Sequence, residues 1–183
     1  LVIKAFAEPT DEDGKHVWTI HFDAPSSPMR SKHILLNTNL IDSSSIVSHV
    51  AVPSDIQPSY APSGRSLVTA TVVGDRAKEM GFETRESVEE AARNDLGEWF
   101  GDGTVSTWKT LAVQHITHAL PISSSGKRLT NLPKNGEDLI ECGDHMLHGS
   151  VEGAILSGRN SALIAINRLT NNTETIQGPT KKV

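Results

Sequence analysis

Cysteine occurs once in these 183 residues, so no disulfide forms within the chain, and Cys142 is compatible with a reducing compartment. Aromatic residues supply only 4% of the sequence against a hydrophobic total of 37%. That is a thin stock for a core, and apolar faces left uncovered are expected. No apolar run approaches the roughly 20 residues that cross a bilayer, and no basic-then-apolar leader is recognisable. The segment therefore reads as soluble, compatible with the cytoplasm or the interior of an organelle. Lys and Arg number 17 against 22 Asp and Glu, for a net charge of −5, and the cations are dispersed rather than clustered. Phosphate-backbone recognition draws on clustered cations, so nucleic acid is not an expected partner. Several motifs are also missing: a G-x-G-x-x-G turn, a G-x-S-x-G elbow, C-x-x-C and H-E-x-x-H. Gly126-Lys127-Arg128 lacks the upstream glycine of a phosphate-binding loop.

The first half reads as short strands. Residues 17–22 alternate, and a hairpin with residues 1–7 across the polar turn at 10–15 is the simplest pairing. Residues 34–37 and 46–52 read as two more strands, the proline-laden stretch 53–64 as a loop, and the β-branched run 67–73 as the strongest strand. Thr84 offers an N-cap. Beyond it Val88, Ala91, Ala92, Leu96, Trp99 and Phe100 recur at helical spacing, which predicts an amphipathic helix lying on a sheet. A strand is expected within 106–116, a loop over 123–136, a strand at 138–142, and a closing helix from Ser150 to about Leu169. Trp18, Trp99 and Trp108 are expected to anchor the core.

The stretch 139–158 carries the chemistry. A short apolar run ends in Gly143-Asp144, and a glycine-bearing helix begins within a few residues. Glycine lets the backbone leave a sheet abruptly, and an aspartate there accepts hydrogen bonds from a sugar or ribityl hydroxyl. The helix that follows aims unpaired N–H groups at whatever sits above the strand. Val151, Ala154, Ile155, Gly158, Ala162, Ile166 and Leu169 fall on one side, expected to be the packed side, with Gly153 and Gly158 admitting a close neighbour. On the residues alone the alternative is a helix packed tightly on a sheet, with Asp144 a turn or capping residue. Cys142, Asp144, His145 and His148 place four potential metal ligands within seven positions. Their spacing matches no established metal motif, and no metal site is expected.

This segment resembles the closing flavin-binding motif of the flavin-dependent amine oxidase and protoporphyrinogen oxidase superfamily, more narrowly its renalase-like members. There a strand leads to Gly-Asp or Gly-Glu, a short loop, and a helix reading Ser-x-x-Gly-Ala-x-x-Ser-Gly. Gly143, Asp144, Ser150, Gly153, Ala154, Ser157 and Gly158 stand at those places. The likeness extends through 52–74 and 108–121 and covers roughly residues 50–169. It implies FAD as cofactor, bound by Gly143, Asp144, Ser150, Val151, Glu152, Gly153 and Ala154. Asp144 would position the ribityl or phosphate region, and the helix start would face the negative charge of the reduced flavin. It further implies that His115 and His118 line a small-molecule substrate pocket. No catalytic base is assigned, because flavin oxidations can run by hydride transfer with little acid–base help. The paired tyrosines that cage substrate in the amine oxidases proper have no counterpart, Tyr60 being the sole tyrosine.

The expected fold is mixed α+β. Residues 1–136 form a substrate-domain-like sheet with one packed helix at 85–100, residues 137–170 form the closing strand-turn-helix unit of a Rossmann-like FAD-binding domain, and 171–183 form a flexible tail. Without the pyrophosphate turn, the chain is expected to be the C-terminal portion of a longer FAD-dependent oxidoreductase. Its missing partner is then the N-terminal dinucleotide-binding half, and the segment alone is inactive. The other reading is a truncated, non-catalytic remnant or binding module that holds no FAD.

Overall fold

The structure, a computed structural model, describes residues 1–5, 14–38, 44–121 and 139–176, with side chains to residue 170. The loop at 123–136 and most of the turn at 10–15 lie outside the described residues. The chain divides into two compact units, Leu1–Gly14 with Leu120–Val183, and Lys15–Ala119. The elements are mixed α+β, as the sequence predicts.

In the unit Lys15–Ala119 the strands are β2 (Gly14–Ala24), β3 (Leu35–Leu36), β4 (Val47–Ala51), β5 (Ser66–Val73) and β6 (Lys109–Pro121), following β1 (Val2–Lys4) in the chain. They form a five-stranded sheet in the order β3-β4-β5-β2-β6. β2 runs antiparallel to β5 from Val17↔Val73 to Ala24↔Ser66. The hairpin expected between residues 1–7 and 17–22 does not form: β2 is taken by β5 and β6, and β1 pairs elsewhere. Eight aligned positions with the β-branched β5 outweigh the short, sequence-local alternative.

β2 and β5 each alternate in burial, and the buried side of the sheet meets α3 (Arg85–Phe100). Val88, Ala92 and Leu96 recur every fourth residue and are fully buried in this core with Ile20, Phe22 and Val68. Burial of a Val or Leu side chain contributes about 1.5–3 kcal/mol, so this one stripe fixes the helix on the sheet. Trp18 and Trp108 are buried as expected, and Trp99 packs partly buried at the core's edge. Thr84 caps α3 through a capping box: its Oγ1 accepts from Ser87 N at 3.1 Å, and Ser87 Oγ accepts from Thr84 N at 3.1 Å.

Three short helices escape the sequence reading. The expected loop 53–64 contains α1 (Pro53–Ile56) and a 3-10 turn, Pro58–Tyr60, because each proline supplies a φ already suited to the first helical position. α2 (Gly74–Glu79) follows β5 directly, and α4 (Asp102–Val105) lies between α3 and β6. All are of six residues or fewer, below the length at which apolar periodicity declares itself.

The other unit pairs β1 in parallel with β7 (Leu139–Glu141), in the register Val2↔Leu139, Ile3↔Ile140 and Lys4↔Glu141. After β7 come a 3-10 turn, Asp144–Met146, and α5 (Val151–Ile176), which runs past the expected end near Leu169 and into the expected tail. Which side of α5 is buried also differs from expectation. Gly153, Ser157, Ser161 and Ala165 face inward, while Val151, Ile155, Ile166 and Leu169 are exposed. The reason is hydrogen bonding: Ser161 Oγ donates to Glu141 O at 3.3 Å, and Ser157 Oγ accepts from Gly143 N at 3.0 Å. Small polar residues thus hold the helix to the strand end, and the aliphatic stripe becomes one of the uncovered apolar faces that the composition predicts.

Candidate functional site

The β7–α5 connection is built by its own residues. Ile140 and Cys142 are buried, and Cys142 N donates to Lys4 O at 2.9 Å, extending the parallel pairing one residue beyond β7. Gly143 then turns the chain at φ 144°, ψ 173°, a conformation L side chains rarely adopt. A Cβ there would also meet the His145 imidazole. Asp144 opens the 3-10 turn; its Oδ1 accepts from His145 N at 2.9 Å and lies 3.9 Å from His145 Nδ1, and its side chain is 38% exposed. The carboxylate is thus steered by the local backbone while one side stays open to a ligand.

Ser150 caps α5. Its Oγ accepts from Gly153 N at 3.0 Å and sits 2.8 Å from His148 Nδ1, and its carbonyl accepts from Ala154 N at 3.0 Å. Val151 and Glu152 are exposed at the first two helical positions, whose N–H groups have no partner within the helix and lie at the positive end of its dipole. Gly153 is different. Its missing side chain is accounted for by the His148 carbonyl, which any Cβ would strike. Gly158 has nothing within 4 Å of a Cβ position, so the close neighbour expected at both glycines is found at Gly153 alone, and it is the connection itself. Ala154 is exposed beside these residues.

Among the described residues no three His, Cys, Asp or Glu side chains gather closely enough to hold a metal ion. Cys142 is buried below the turn, and His148 is engaged with Ser150.

His115 and His118 do not converge. Three residues apart on one strand, they project from opposite faces of the sheet. His115 stacks on Trp18 with centroids 4.0 Å apart and planes within 7°, and His16 lies 5.7 Å away. Desolvation by this packing, then the charges of His16 and Arg85, hold the His115 pKa below the ordinary histidine range. Thr117 Oγ1 lies 2.9 Å from His118 Nδ1. Arg85 and Leu111 to Ile116 line an open groove of about 670 Å³ beside His115. The sequence reading overlooks Arg85 and His16, which come near His115 only through strand register and the start of α3.

Residues 14–165 match the family model for flavin containing amine oxidoreductases. The chain belongs to this family. No curated protein matches it. Among solved structures, an oxidoreductase from Methanosarcina mazei is similar at 20% identity and a TM-score of 0.57, covering 79% of this chain and 33% of that one. A Pyrococcus furiosus protein is similar at 16% identity and a TM-score of 0.50, covering 82% of this chain and 30% of that one. These likenesses concern fold, and the chain spans about a third of the length of either structure.

A flavin suits part of the donor set of this amine oxidoreductase segment. The open side of the Asp144 carboxylate and the amides of Val151 and Glu152, which have no partner within the helix, are available to a ligand. The Gly153 amide is committed to Ser150, and the space above it to His148. Among the described residues no helix is long and apolar enough to cross a membrane.

Proposed function

We propose that this chain closes the FAD site of an FAD-dependent oxidoreductase that acts on a small molecule, and that a dinucleotide-binding half is its covalent partner. One observation carries the reading. A partly open carboxylate stands at the end of a parallel strand, on a turn that favours glycine, a short loop before a capped helix whose first amides have no partner within the helix. Asp144 accepts hydroxyl hydrogen bonds from the cofactor and fixes its position. The amides of Val151 and Glu152 favour negative charge nearby by roughly 0.3–1 kcal/mol. FAD, when bound, supplies the acceptor for a hydride leaving the substrate. Ser150 and Gly153 set the angle at which α5 begins, and Gly143 lets the chain reach it, so these residues act by positioning. Ala154 continues the exposed helix start. His115 and, on the other face, His118 are the histidines offered to substrate.

The test compares FAD binding by the 183-residue chain with binding by a chain extended with a dinucleotide-binding half, both followed by quenching of flavin fluorescence. The short chain should bind weakly or not at all, and the extended chain stoichiometrically. Asp144→Ala in the extended chain should cost about 1–3 kcal/mol, a loss of roughly 5- to 150-fold in affinity, before the melting temperature moves. An extended chain that ignores FAD, or an Asp144→Ala variant that retains full affinity, would replace this reading with that of a remnant or binding module.

A further inference from the structure

The groove beside His115 has a consistent chemistry. Trp18 and His16 are two residues apart on β2 and therefore share a face of the sheet. His115 stacks on the first and approaches the second, and Arg85, the first residue of α3, lines the same groove. Gly74 makes room for this arrangement: a Cβ there would meet the His16 carbonyl at 2.7 Å, so glycine lets α2 begin against β2 and brings Asp75 alongside. Asp75 is engaged twice, by Lys15 Nζ at 3.2 Å and His16 Nε2 at 3.6 Å. Arg85 forms no ion pair with a carboxylate among the described residues and is exposed. A permanent cation and the His115 imidazole thus line the groove, with His16 next to His115 and engaged by Asp75, and with Glu89, one turn along α3 from Arg85, paired with Arg93. On the face of β6 that carries His115 the groove continues over Leu111 and Val113, an apolar floor next to the cationic end.

We propose that Arg85, with His115 beside it, forms a binding subsite for the carboxylate of a small amphipathic molecule whose apolar part lies along Leu111 and Val113 of β6. The inference rests on the unit Lys15–Ala119 and needs no flavin, so its failure and that of the FAD reading are separate events. The planar fork of Arg85 takes a carboxylate through two parallel N–H donors, the geometry in which arginine outperforms a point charge. His115 gives the subsite a pH dependence. Desolvation on Trp18, then the charges of His16 and Arg85, depress its pKa; a bound anion offsets those two charges, so the pKa rises on binding and affinity increases as pH falls toward that of the free imidazole. Lys15 and Asp75 beside His16, and Glu86 and the Arg93-paired Glu89 on α3, also enter this balance.

The test uses the 183-residue chain with histidine imidazoles labelled for NMR, the His115 signal being assigned by its loss in His115→Gln. Hexanoate should shift that signal saturably and raise its titration midpoint, whereas 1-hexanol, the same length without charge, should leave it in place. Arg85→Ala lies at an exposed helix start and should weaken hexanoate by about tenfold or more, with Arg85→Lys recovering part of the loss. Inorganic phosphate, the second probe, should bind less tightly than hexanoate because it leaves the apolar floor empty. The proposal is overturned if hexanoate produces no saturable shift at His115, if hexanol binds equally well, if Arg85→Ala changes nothing, or if phosphate is the better ligand.

Discussion

Removal of Asp95 is costly in this structure. It sits on α3 with its side chain buried, and one carboxylate oxygen, Oδ2, accepts from Ser45 Oγ at 2.8 Å, Ile46 N at 2.7 Å and Val47 N at 2.9 Å. The pair of backbone donors opens β4, and both Ile46 and Val47 are fully buried, so solvent does not replace the lost acceptor. Asp95→Ala leaves two amides and a hydroxyl without their shared partner. At about 1–3 kcal/mol for each buried donor left unmade, and with the hydroxyl free to rotate, the expected loss is about 3–5 kcal/mol. Asp95→Asn keeps a carbonyl oxygen in the same place but surrenders the charge, for a smaller loss of about 1–2 kcal/mol. Urea unfolding of both variants gives the magnitudes. Amide hydrogen exchange at Ile46 and Val47 shows whether the damage begins at β4. Glu90→Ala, at an exposed position of the same helix, should stay within about 0.5 kcal/mol of the parent. An Asp95→Ala chain within 1 kcal/mol of the parent, at unchanged denaturant dependence, would refute the argument, since it would mean the β4 amides find other acceptors at no cost.

The two glycines that flank the start of α5 should respond with opposite sign. Gly143→Ala forces a side chain into a backbone conformation that costs about 1–3 kcal/mol and into the His145 ring, whereas Gly158→Ala fills open space within a helix and should stabilise by about 0.5–1 kcal/mol; thermal melts that rank them the other way would contradict the turn geometry. A pH dependence follows from His49 and His115. Burial at His49, and partial desolvation followed by the charges of His16 and Arg85 at His115, depress their folded-state pKa values. Below histidine's ordinary value of about 6.5, the unfolded chain therefore takes up protons that the folded chain declines. Stability should be level above that value and fall as pH drops through the window down to the folded-state pKa values. Urea midpoints recorded from pH 8 to 5 should show this slope, and His49→Gln combined with His115→Gln should flatten it; an unchanged slope in the double variant would assign it to other groups.

What the sequence determined by itself is what its local chemistry repeats. The β-branched alternation of β5, the Thr84 start and the every-fourth-residue stripe of α3 are periodic, and each appears where the periodicity puts it. The Gly143-Asp144 turn between a strand and a helix is equally local, and the family match over residues 14–165 agrees with the resemblance that its residues carry. The tertiary structure decided the rest. Whether β1 pairs with β2 or β7 is a competition between registers far apart in the chain, and the three residues of β1 hold no record of its outcome. The side of α5 that is buried follows from two serine hydrogen bonds to Gly143 and Glu141 rather than from hydrophobicity, so an apolar stripe pointed to the wrong face. Gly153 signalled close approach correctly, but the approaching group, the His148 carbonyl, belongs to the same loop. The role of Asp95 has no local signature, because the Ile46 and Val47 amides that use it come from about 50 residues away. The gathering of Arg85, His16 and His115 needed both the sheet order and the docking of α3, because contacts between residues 30 or more apart depend on how whole elements pack and leave no periodic trace in the chain.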